Sequence, residues 1–258
     1  MAFETQLRLF AFFVILTGMM LWELLAPRRK NQKRKLRWPS NLGIVALNAF
    51  LLALVPVTAV GAALFSVFNH FGLFLWLELS LWPSIILSLV LLDLAIYWQH
   101  RIFHAIPRLW PIHRMHHTDT EFDVTTALRF HPVEIIISMA IKAAVIILIG
   151  APVLAVIAFE IILNGTAMFN HANIKLPAAA DKVLRLVIVT PDMHRVHHAI
   201  HGDEYNTNYG FNLSIWDRLF SSYTAQPADG HAEMQIGQPE YRAPSEARLD
   251  KLLTQPFR

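Results

Sequence analysis

The sequence predicts an all-α fold, a multispanning transmembrane helical bundle of about 4–5 spans with a cytoplasmic helical cap that carries clusters of histidine. Three observations predict this fold. Hydrophobic residues make up 55% of the chain and charged residues only 16%, whereas a soluble domain carries about 25% charged residues. The apolar residues form runs long enough to cross a bilayer as helices, which takes about 20 residues each. Lys and Arg, finally, are concentrated in the segments on one side of those runs.

The apolar runs, taken in chain order, are the candidate transmembrane helices. They cover residues 5–25, 41–68, 73–98, 133–149 and 152–169. The second run is longer than one span requires and contains Pro56, so it is either a tilted helix or a hairpin. Residues 150–152, with the sequence Gly-Ala-Pro, separate the last two runs and predict a tight helical hairpin. We expect the polar tail beyond about residue 222 to drape over the cap or to be partly disordered.

The basic residues predict the orientation of the chain. Seven of the ten residues from Arg28 to Arg37 are Lys or Arg. Such a run can bind nucleic acid, but this one follows an apolar run and is better explained as a cytoplasmic anchor. With five spans, residues 26–40, 99–132 and 170–258 share the cytoplasmic side and hold 20 of the 22 Lys and Arg. We therefore expect a multi-pass protein of the cytoplasmic membrane in a bacterium, or of the endoplasmic reticulum in a eukaryote, whose first run is a retained signal anchor.

The chain contains no cysteine and 13 histidines. The lack of cysteine excludes disulfides, thiolate zinc sites, iron–sulfur ligation and thiol catalysis. A bound metal must then be held by His, Asp, Glu or backbone oxygen. Nine histidines fall in four short segments at the ends of the apolar runs. They are His100 and His104, then His113, His116 and His117, then His171, and finally His194, His197 and His198.

The spacing of these histidines brings several imidazoles onto one helical face. Residues at positions i, i+3 and i+4 of a helix are neighbours, so H-x-x-x-H aims two rings at one point and each H-x-x-H-H aims two or three. The predicted topology puts all four segments on one side of the membrane, where they can converge. Imidazole favours Fe, Zn, Cu and Ni over Mg and Ca. Eight or nine nitrogen ligands exceed the four that zinc normally takes, and we therefore predict a site for two metal ions.

Several metal chemistries are excluded because their motifs are missing. A zinc protease would need H-E-x-x-H, and a carboxylate-rich di-iron bundle would need Glu-x-x-His; the sequence has neither. A transporter would bind its ion near the bilayer midplane, whereas these histidines lie at the membrane surface. A redox-active or hydrolytic two-metal site remains.

The order of the three histidine motifs on a multispanning chain resembles the fatty-acid hydroxylase/sterol desaturase superfamily, whose members are membrane-bound di-iron oxygenases. Neighbouring residues add to the resemblance, which runs from about residue 85 to 223. The matching elements are R-x-H-P at Arg129–Pro132, the single-histidine element at Asn170–Asn173, N-x-N-Y-G at Asn206–Gly210, and W-D-x-L-F at Trp216–Phe220.

The resemblance implies a function and a domain order. In such enzymes two histidine-bound irons activate dioxygen and insert oxygen into, or remove hydrogen from, an unactivated C–H bond of a lipid. The catalytic domain would cover residues 73–223, between N-terminal transmembrane segments at 1–72 and a polar tail at 224–258. Carried over motif by motif, the metal ligands would be His100, His104, His113, His116, His117, His171, His194, His197 and His198, with no further catalytic residue.

One position departs from the family pattern. Relatives with a second H-x-x-x-H have a further ligand four residues after the single histidine, where this chain has Lys175. Either one metal has an open position, or another residue such as His131 completes its ligands. Metal-bound imidazoles usually donate their second N–H to a carboxylate or carbonyl. The residues that we expect to support the ligands in this way are His131, Asp192, Asp119 and Asn170.

The resemblance also implies partners. The expected substrate is a membrane lipid, fatty-acyl, sterol-like or otherwise hydrophobic. The residues do not decide between hydroxylation, desaturation and ether cleavage. Because the sequence has no G-x-G-x-x-G and no flavin, haem or iron–sulfur motif, electrons must come from an external NAD(P)H-linked ferredoxin, cytochrome or reductase. No nucleic acid is expected. The alternatives are a zinc-dependent membrane hydrolase and a non-catalytic metal-binding membrane protein.

Overall fold

The computed structural model describes residues 3–30 and 33–258, and within these ranges its secondary structure is helical. The predicted all-α fold is therefore confirmed. Short 3₁₀ turns lie between several of the helices. The α-helices are α1 (Phe3–Leu25), α2 (Arg34–Leu54), α3 (Ala59–Phe68), α4 (Leu73–Trp76), α5 (Leu81–Ala105), α6 (Trp110–His117), α7 (Pro132–Ile149), α8 (Val153–Asn170), α9 (Ala178–Leu184), α10 (Pro191–His197), α11 (Gly202–Tyr205), α12 (Ile215–Leu219), α13 (Gly230–Glu233) and α14 (Leu249–Thr254).

Five helical stretches of the described chain are long and apolar enough to cross a membrane. They are α1, the stretch from α2 through α4, α5, α7 and α8. Their outer faces are strongly apolar, and Leu25 and Phe68 are more than 80% exposed. Apolar surface on this scale is typical of contact with lipid rather than water. The predicted multispanning bundle is thus confirmed, but the bounds of two runs need correction. The second stretch covers Arg34–Trp76 instead of 41–68, and the third covers Leu81–Ala105 instead of 73–98.

The second stretch is one broken crossing rather than a hairpin. A short break at Pro56 separates α2 from α3, since proline cannot continue the hydrogen-bond ladder of a helix. At one end, Arg37 of α2 donates to Asp119, which follows α6. At the other end, the Ser66 hydroxyl of α3 donates to the carbonyl of Ile147, near the end of α7, at 3.5 Å. The two ends of the stretch therefore lie at opposite ends of the bundle.

The α7–α8 hairpin predicted at residues 150–152 is confirmed. Gly150 ends α7 in the left-handed conformation at φ 69°, which costs glycine little because it has no Cβ. Gly72, at φ 127°, packs directly on this turn, and a Cβ added there would lie 2.4 Å from the Cα of Gly150. The close contact of two glycines thus joins the loop before α4 to the hairpin.

The interior of the bundle is mainly apolar, and two of its acidic residues are partnered. Buried residues of α3, α5, α7 and α8 form the main hydrophobic cluster. Glu160 of α8 pairs with Lys142 of α7 at 2.7 Å and also with Arg8 of α1, so one carboxylate joins three helices. Asp93 of α5 accepts the indole N–H of Trp216 at 2.8 Å. These acidic residues hold helices together and do not contact the histidines.

The remaining segments form a helical cap at the end of the bundle where α5 and α8 finish and α7 begins. Leu252 of α14 packs against Ile44 of α2 and Met115 of α6. Of the two alternatives for the C-terminal tail, the structure therefore shows the one in which the tail lies over the cap. The basic segment over residues 26–40, expected as a cytoplasmic connection between the first two spans, is not a loop throughout. Its second half is the start of α2, and Arg37 is buried within the cap instead of facing lipid headgroups.

Candidate metal centre

The histidines lie at four helix ends that meet under the cap. His100 and His104 occupy the last turns of α5, and His171 is the C-terminal cap of α8. The other two clusters lie on the short helices α6 and α10. Each of these helices has proline in its first turn, where the missing N–H costs nothing and the fixed φ favours a helix. The Thr190 hydroxyl also caps α10 by accepting the backbone N–H of Met193 at 3.4 Å.

The nine histidines form two groups, in each of which one ring nitrogen per residue lies within 4.8 Å of the others. All nine side chains are buried. The five-histidine group consists of His100, His104, His113, His117 and His197. The four-histidine group consists of His116, His171, His194 and His198.

Each H-x-x-H-H motif supplies both groups. In α6, His113 and His117 belong to the five-histidine group and His116 to the four-histidine group. The motif in α10 divides in the opposite sense, with two residues in the four-histidine group. The two groups are direct neighbours, and the rings of His117 and His198 stack across them with centroids 4.4 Å apart. Two adjacent histidine motifs therefore build a single two-centre site.

Backbone carbonyls hold one nitrogen of several rings. The Nδ1–H groups donate to carbonyl oxygens, which only accept, so Nδ1 carries the proton and Nε2 keeps its lone pair. The pairs are His100 with Tyr209 at 2.8 Å, His116 with Arg129 at 3.2 Å, His171 with Ala167 at 2.8 Å, and His197 with Thr207 at 2.6 Å. His104 uses the side-chain oxygen of Asn206 at 3.3 Å and His113 the carboxylate of Glu134 at 2.7 Å.

The inner nitrogens face one another without a proton between them. Nε2 of His100 lies 3.1 Å from Nε2 of His113 in the five-histidine group. Nε2 of His116 lies 3.1 Å from Nε2 of His171 in the four-histidine group. Because each of these rings has its proton on Nδ1, both contacts bring two lone pairs together, and neither is a hydrogen bond. A cation between the rings would turn this repulsion into coordination.

Other buried ring nitrogens are left without a hydrogen-bond partner in residues 3–30 and 33–258. They include Nε2 of His104, Nε2 of His197 and both nitrogens of His198. A buried polar atom without a partner costs free energy. The donor set fits a pair of metal ions, since imidazole nitrogen is a good ligand for iron, zinc and copper.

Burial favours the neutral form of several of these histidines. It lowers the pKa of His197 to about 3 and the pKa of His171 to about 4. Burial, followed by repulsion from neighbouring histidines, also lowers the pKa of four further histidines of the two groups well below the ordinary value. These are His116, His117, His194 and His198. Neutral imidazole is the form that binds a metal, so the centre is ready for cations at neutral pH.

Asp119, expected to support a ligand, has arginine partners instead. It accepts from Arg37 at 2.6 Å and lies 3.6 Å from Arg129. Burial alone would raise the pKa of Asp119, but the two arginines outweigh it and hold that pKa at about 2. Its contribution to the centre is indirect, since the carbonyl of Arg129 accepts from His116.

Asp192 likewise lacks a histidine ligand as partner. It accepts from Arg28 at 3.1 Å and from Arg195 within α10. His231 of the tail, whose position near the site no local sequence pattern predicts, is buried 3.7 Å from the same carboxylate. Asp192 can pair with Arg28 because the basic segment after α1 passes beside α10.

His131 and Asn170 also lie outside the two groups. His131 caps α7, with Nδ1 accepting the N–H of Val133 and Nε2 donating to the Leu253 carbonyl, both at 3.2 Å. Asn170 donates to the carbonyl of Phe211 at 2.9 Å. His131 therefore does not complete the ligand set in place of Lys175, and the second group has four histidines.

Glu134 is the residue that the sequence interpretation missed. Its carboxylate accepts from His113, a contact that brings the first turn of α7 against α6. An acidic residue in the first turn of a helix is common, because it interacts favourably with the helix dipole. Its presence in the sequence therefore does not indicate a contact with a histidine. The available signal was its position in the segment Arg129–Glu134, directly after the R-x-H-P element.

The amino-acid sequence is similar to a known protein family. A model of the fatty acid hydroxylase family matches residues 85–222, just over half of the chain. An ornithine lipid hydroxylase of Rhizobium tropici is 30% identical over 60% of this chain and 47% of its own length. Human alkylglycerol monooxygenase is 30% identical over 52% of this chain and 29% of its own. The chain thus spans less than half of these curated relatives, and no solved structure matches it.

Proposed function

The chain belongs to the fatty acid hydroxylase family, and from that premise we propose that it is a membrane di-iron oxygenase that hydroxylates a lipid. The observation that carries the proposal is the two-centre arrangement of nine buried histidines, with facing lone pairs in each group. The relatives are named a lipid hydroxylase and a monooxygenase. Their names favour insertion of oxygen over desaturation.

The reaction needs electrons from outside the chain. Hydroxylation converts R–H, dioxygen, two electrons and two protons into R–OH and water. Two irons held by the nine histidines would supply the activation of dioxygen. The electrons would come from an external donor, a ferredoxin, a cytochrome or a reductase linked to NAD(P)H. The chain's own residues bind the metals, orient the rings through backbone carbonyls and bury the centre away from water.

The lipid substrate would reach the centre from the bilayer. Phe130 stacks on His116 with centroids 4.3 Å apart, and Phe211 lies 6.2 Å from His100. Phe211 also packs against the apolar cluster between α3, α5, α7 and α8. A hydrocarbon chain that enters between these spans would meet Phe211 and Phe130 before the histidines, so these two rings would position the carbon to be oxidised.

The basic residues support a cytoplasmic location of the cap. The segments that form it lie within residues 26–30, 33–40, 99–132 and 170–258, and these ranges hold 20 of the 22 Lys and Arg. Positive residues favour the cytoplasmic side. The cap would then present the centre to a soluble electron donor, in the cytoplasmic membrane of a bacterium or the endoplasmic reticulum of a eukaryote.

The test measures metal content and oxygen insertion together. Purified protein should contain about two irons per chain, the number expected for two nitrogen-ligated groups. Cells that express it under ¹⁸O₂ should contain a lipid with one labelled oxygen. His116→Ala should abolish the labelled lipid. His201→Ala is the matched control, because His201 is exposed and pairs with Asp229 outside both groups, and it should leave the product unchanged.

Three outcomes would contradict the proposal. Retention of zinc with no consumption of dioxygen would favour a hydrolase, and bound metal with no lipid product would favour a non-catalytic role. An unlabelled new double bond would indicate desaturation instead of hydroxylation.

A further inference from the structure

Glu134 makes a contact with the histidine centre that differs in charge from the others. Its Oε1 accepts the Nδ1–H of His113 at 2.7 Å. Within the two histidine groups, the other ring nitrogens that bond to a group other than histidine use uncharged acceptors: those of His100, His116, His171 and His197 use backbone carbonyls, and that of His104 uses an amide. A carboxylate is a stronger acceptor than either, because it carries a full negative charge.

His113 occupies a central position in the five-histidine group. Its Nε2 lies 3.1 Å from Nε2 of His100 and 3.2 Å from Nε2 of His117. The proton donated to Glu134 stays on Nδ1, so Nε2 faces the group with its lone pair. Charge on Glu134 increases the electron density at that lone pair, and a metal-ligating histidine backed by a carboxylate is a stronger donor.

The environment of Glu134 shows that the contact does more than cap a helix. The carboxylate is 4% exposed, and its second oxygen, Oε2, has no hydrogen-bond partner in residues 3–30 and 33–258. The first turn of α7 is capped by His131. A buried carboxylate with one imidazole partner is costly. A cation bound on the far side of the ring would offset this charge.

We propose that Glu134 is a positioning residue that acts through His113 to strengthen metal binding in the five-histidine group and so makes the two metal sites unequal. The four-histidine group lacks this support, since His116 and His171 are backed by carbonyls. The proposal rests on the metal centre of the proposed function and assigns this chain's carboxylate to one of its two sites.

The experiment uses Co²⁺ in the full chain, purified in detergent micelles, and requires no turnover. Co²⁺ has visible bands that report its ligands, and its release to a chelator can be followed at the same wavelengths. Glu134→Gln keeps an oxygen that can accept from His113 but removes the charge. Glu23→Gln is the matched control, because Glu23 is equally buried and has one unpartnered oxygen but accepts from the backbone N–H groups of Val124 and Asn173.

We expect release of one Co²⁺ from Glu134→Gln to be faster by about 10-fold or more, while the other ion leaves at the wild-type rate. The visible bands should shift in this variant and remain unchanged in Glu23→Gln. Loading and release of both ions at wild-type rates, with an unchanged spectrum, would overturn the role of Glu134. A wild-type chain that binds no Co²⁺ would contradict the metal centre itself and both proposals with it.

A structural role alone predicts a different result. If Glu134 only held α7 against α6, the isosteric Gln would preserve the contact and both release rates. Glu134→Leu, which removes the acceptor, would then be the only variant with an effect. An effect of Leu without an effect of Gln therefore also overturns the proposal, because the proposed role requires the charge.

Discussion

Two buried polar regions of the cap lie side by side and differ in whether their groups are paired. The first is the arginine–aspartate network, made of Arg37, Asp119, Asp123 and Arg129, in which Arg37 bonds to both carboxylates and Asp119 faces both arginines. The second is the histidine centre, where neutral rings direct lone pairs at one another. The charges of the network are paired within the protein, whereas the histidine centre has lone pairs that only added cations could pair.

The difference separates a structural region from a binding site. Both regions are buried, polar and near the same helix ends, and Asp119 lies only two residues after His117. Burial and position therefore do not distinguish them. The two regions are distinguished by whether their polar groups are paired. Buried charges are stable when they are neutralised within the protein, whereas buried lone pairs without a donor indicate a site for a ligand. The following predictions test this comparison in order of decreasing effect on stability.

The largest effect is expected from Asp119→Ala. The substitution leaves Arg37 and Arg129 buried without the carboxylate they share, and breaking a buried ion pair in this way costs about 3–5 kcal/mol. Denaturant unfolding in detergent micelles measures the change in the free energy of unfolding. A loss below about 1 kcal/mol, the range of a surface ion pair, would contradict a structural role for the network.

A smaller effect is expected from Glu160→Gln within the membrane. The change leaves Lys142 and Arg8 as two neighbouring cations without their carboxylate. Because Arg8 is 30% exposed in its side chain and can move away, we expect a loss of about 2 kcal/mol, less than for a fully buried pair. Arg8→Met is the matched control, since it leaves a neutral Lys142–Glu160 pair. Equal losses in the two variants would contradict this charge balance.

The sequence predicted the spans and the histidines because both follow from local patterns. Apolar runs of spanning length indicate helices, and the i, i+3, i+4 spacing puts imidazoles on one face. The expectation of two metal sites also followed from the number of nitrogens, and the nine histidines do form two groups. The division of each H-x-x-H-H between two groups did not, because it depends on how α6 and α10 face each other.

The supporting residues were beyond the sequence for a physical reason. A carboxylate two residues from a histidine, as in Asp119 and Asp192, is near in the chain but can turn toward a different partner. Asp119 pairs with the distant Arg37, and Asp192 pairs with the distant Arg28 and the nearby Arg195. His113 instead donates to Glu134, 21 positions away in the chain. The backbone carbonyls that accept from several other rings are present in every residue type, so the sequence does not show which of them will be used. Long-range contacts of this kind are set by packing, which a single sequence does not display.

A modest effect is expected where α10 begins. Thr190 caps this helix, which holds His194 and His197, and loss of a capping hydroxyl costs about 1 kcal/mol. Thr190→Ala should therefore lower the free energy of unfolding by about 1 kcal/mol and speed the release of Co²⁺ from both groups, since α10 supplies both. Thr190→Ser retains the hydroxyl and should restore both properties. Failure of Ser to do so would contradict the capping role.

The smallest change in stability is expected from His198→Phe in metal-free protein, although this substitution removes a proposed ligand. Both ring nitrogens of His198 are buried without a partner, and its ring stacks on His117. Replacing unpartnered polar atoms by an apolar ring of similar shape is nearly neutral, within about 1 kcal/mol. The metal-loaded protein should respond differently, because a metal that binds only the folded state increases the free energy of unfolding. In metal-loaded His198→Phe, the part of this increase that comes from the four-histidine group should be lost. A loss of several kcal/mol without metal would mean that His198 stabilises the fold as Asp119 does, and the distinction between the two regions would fail.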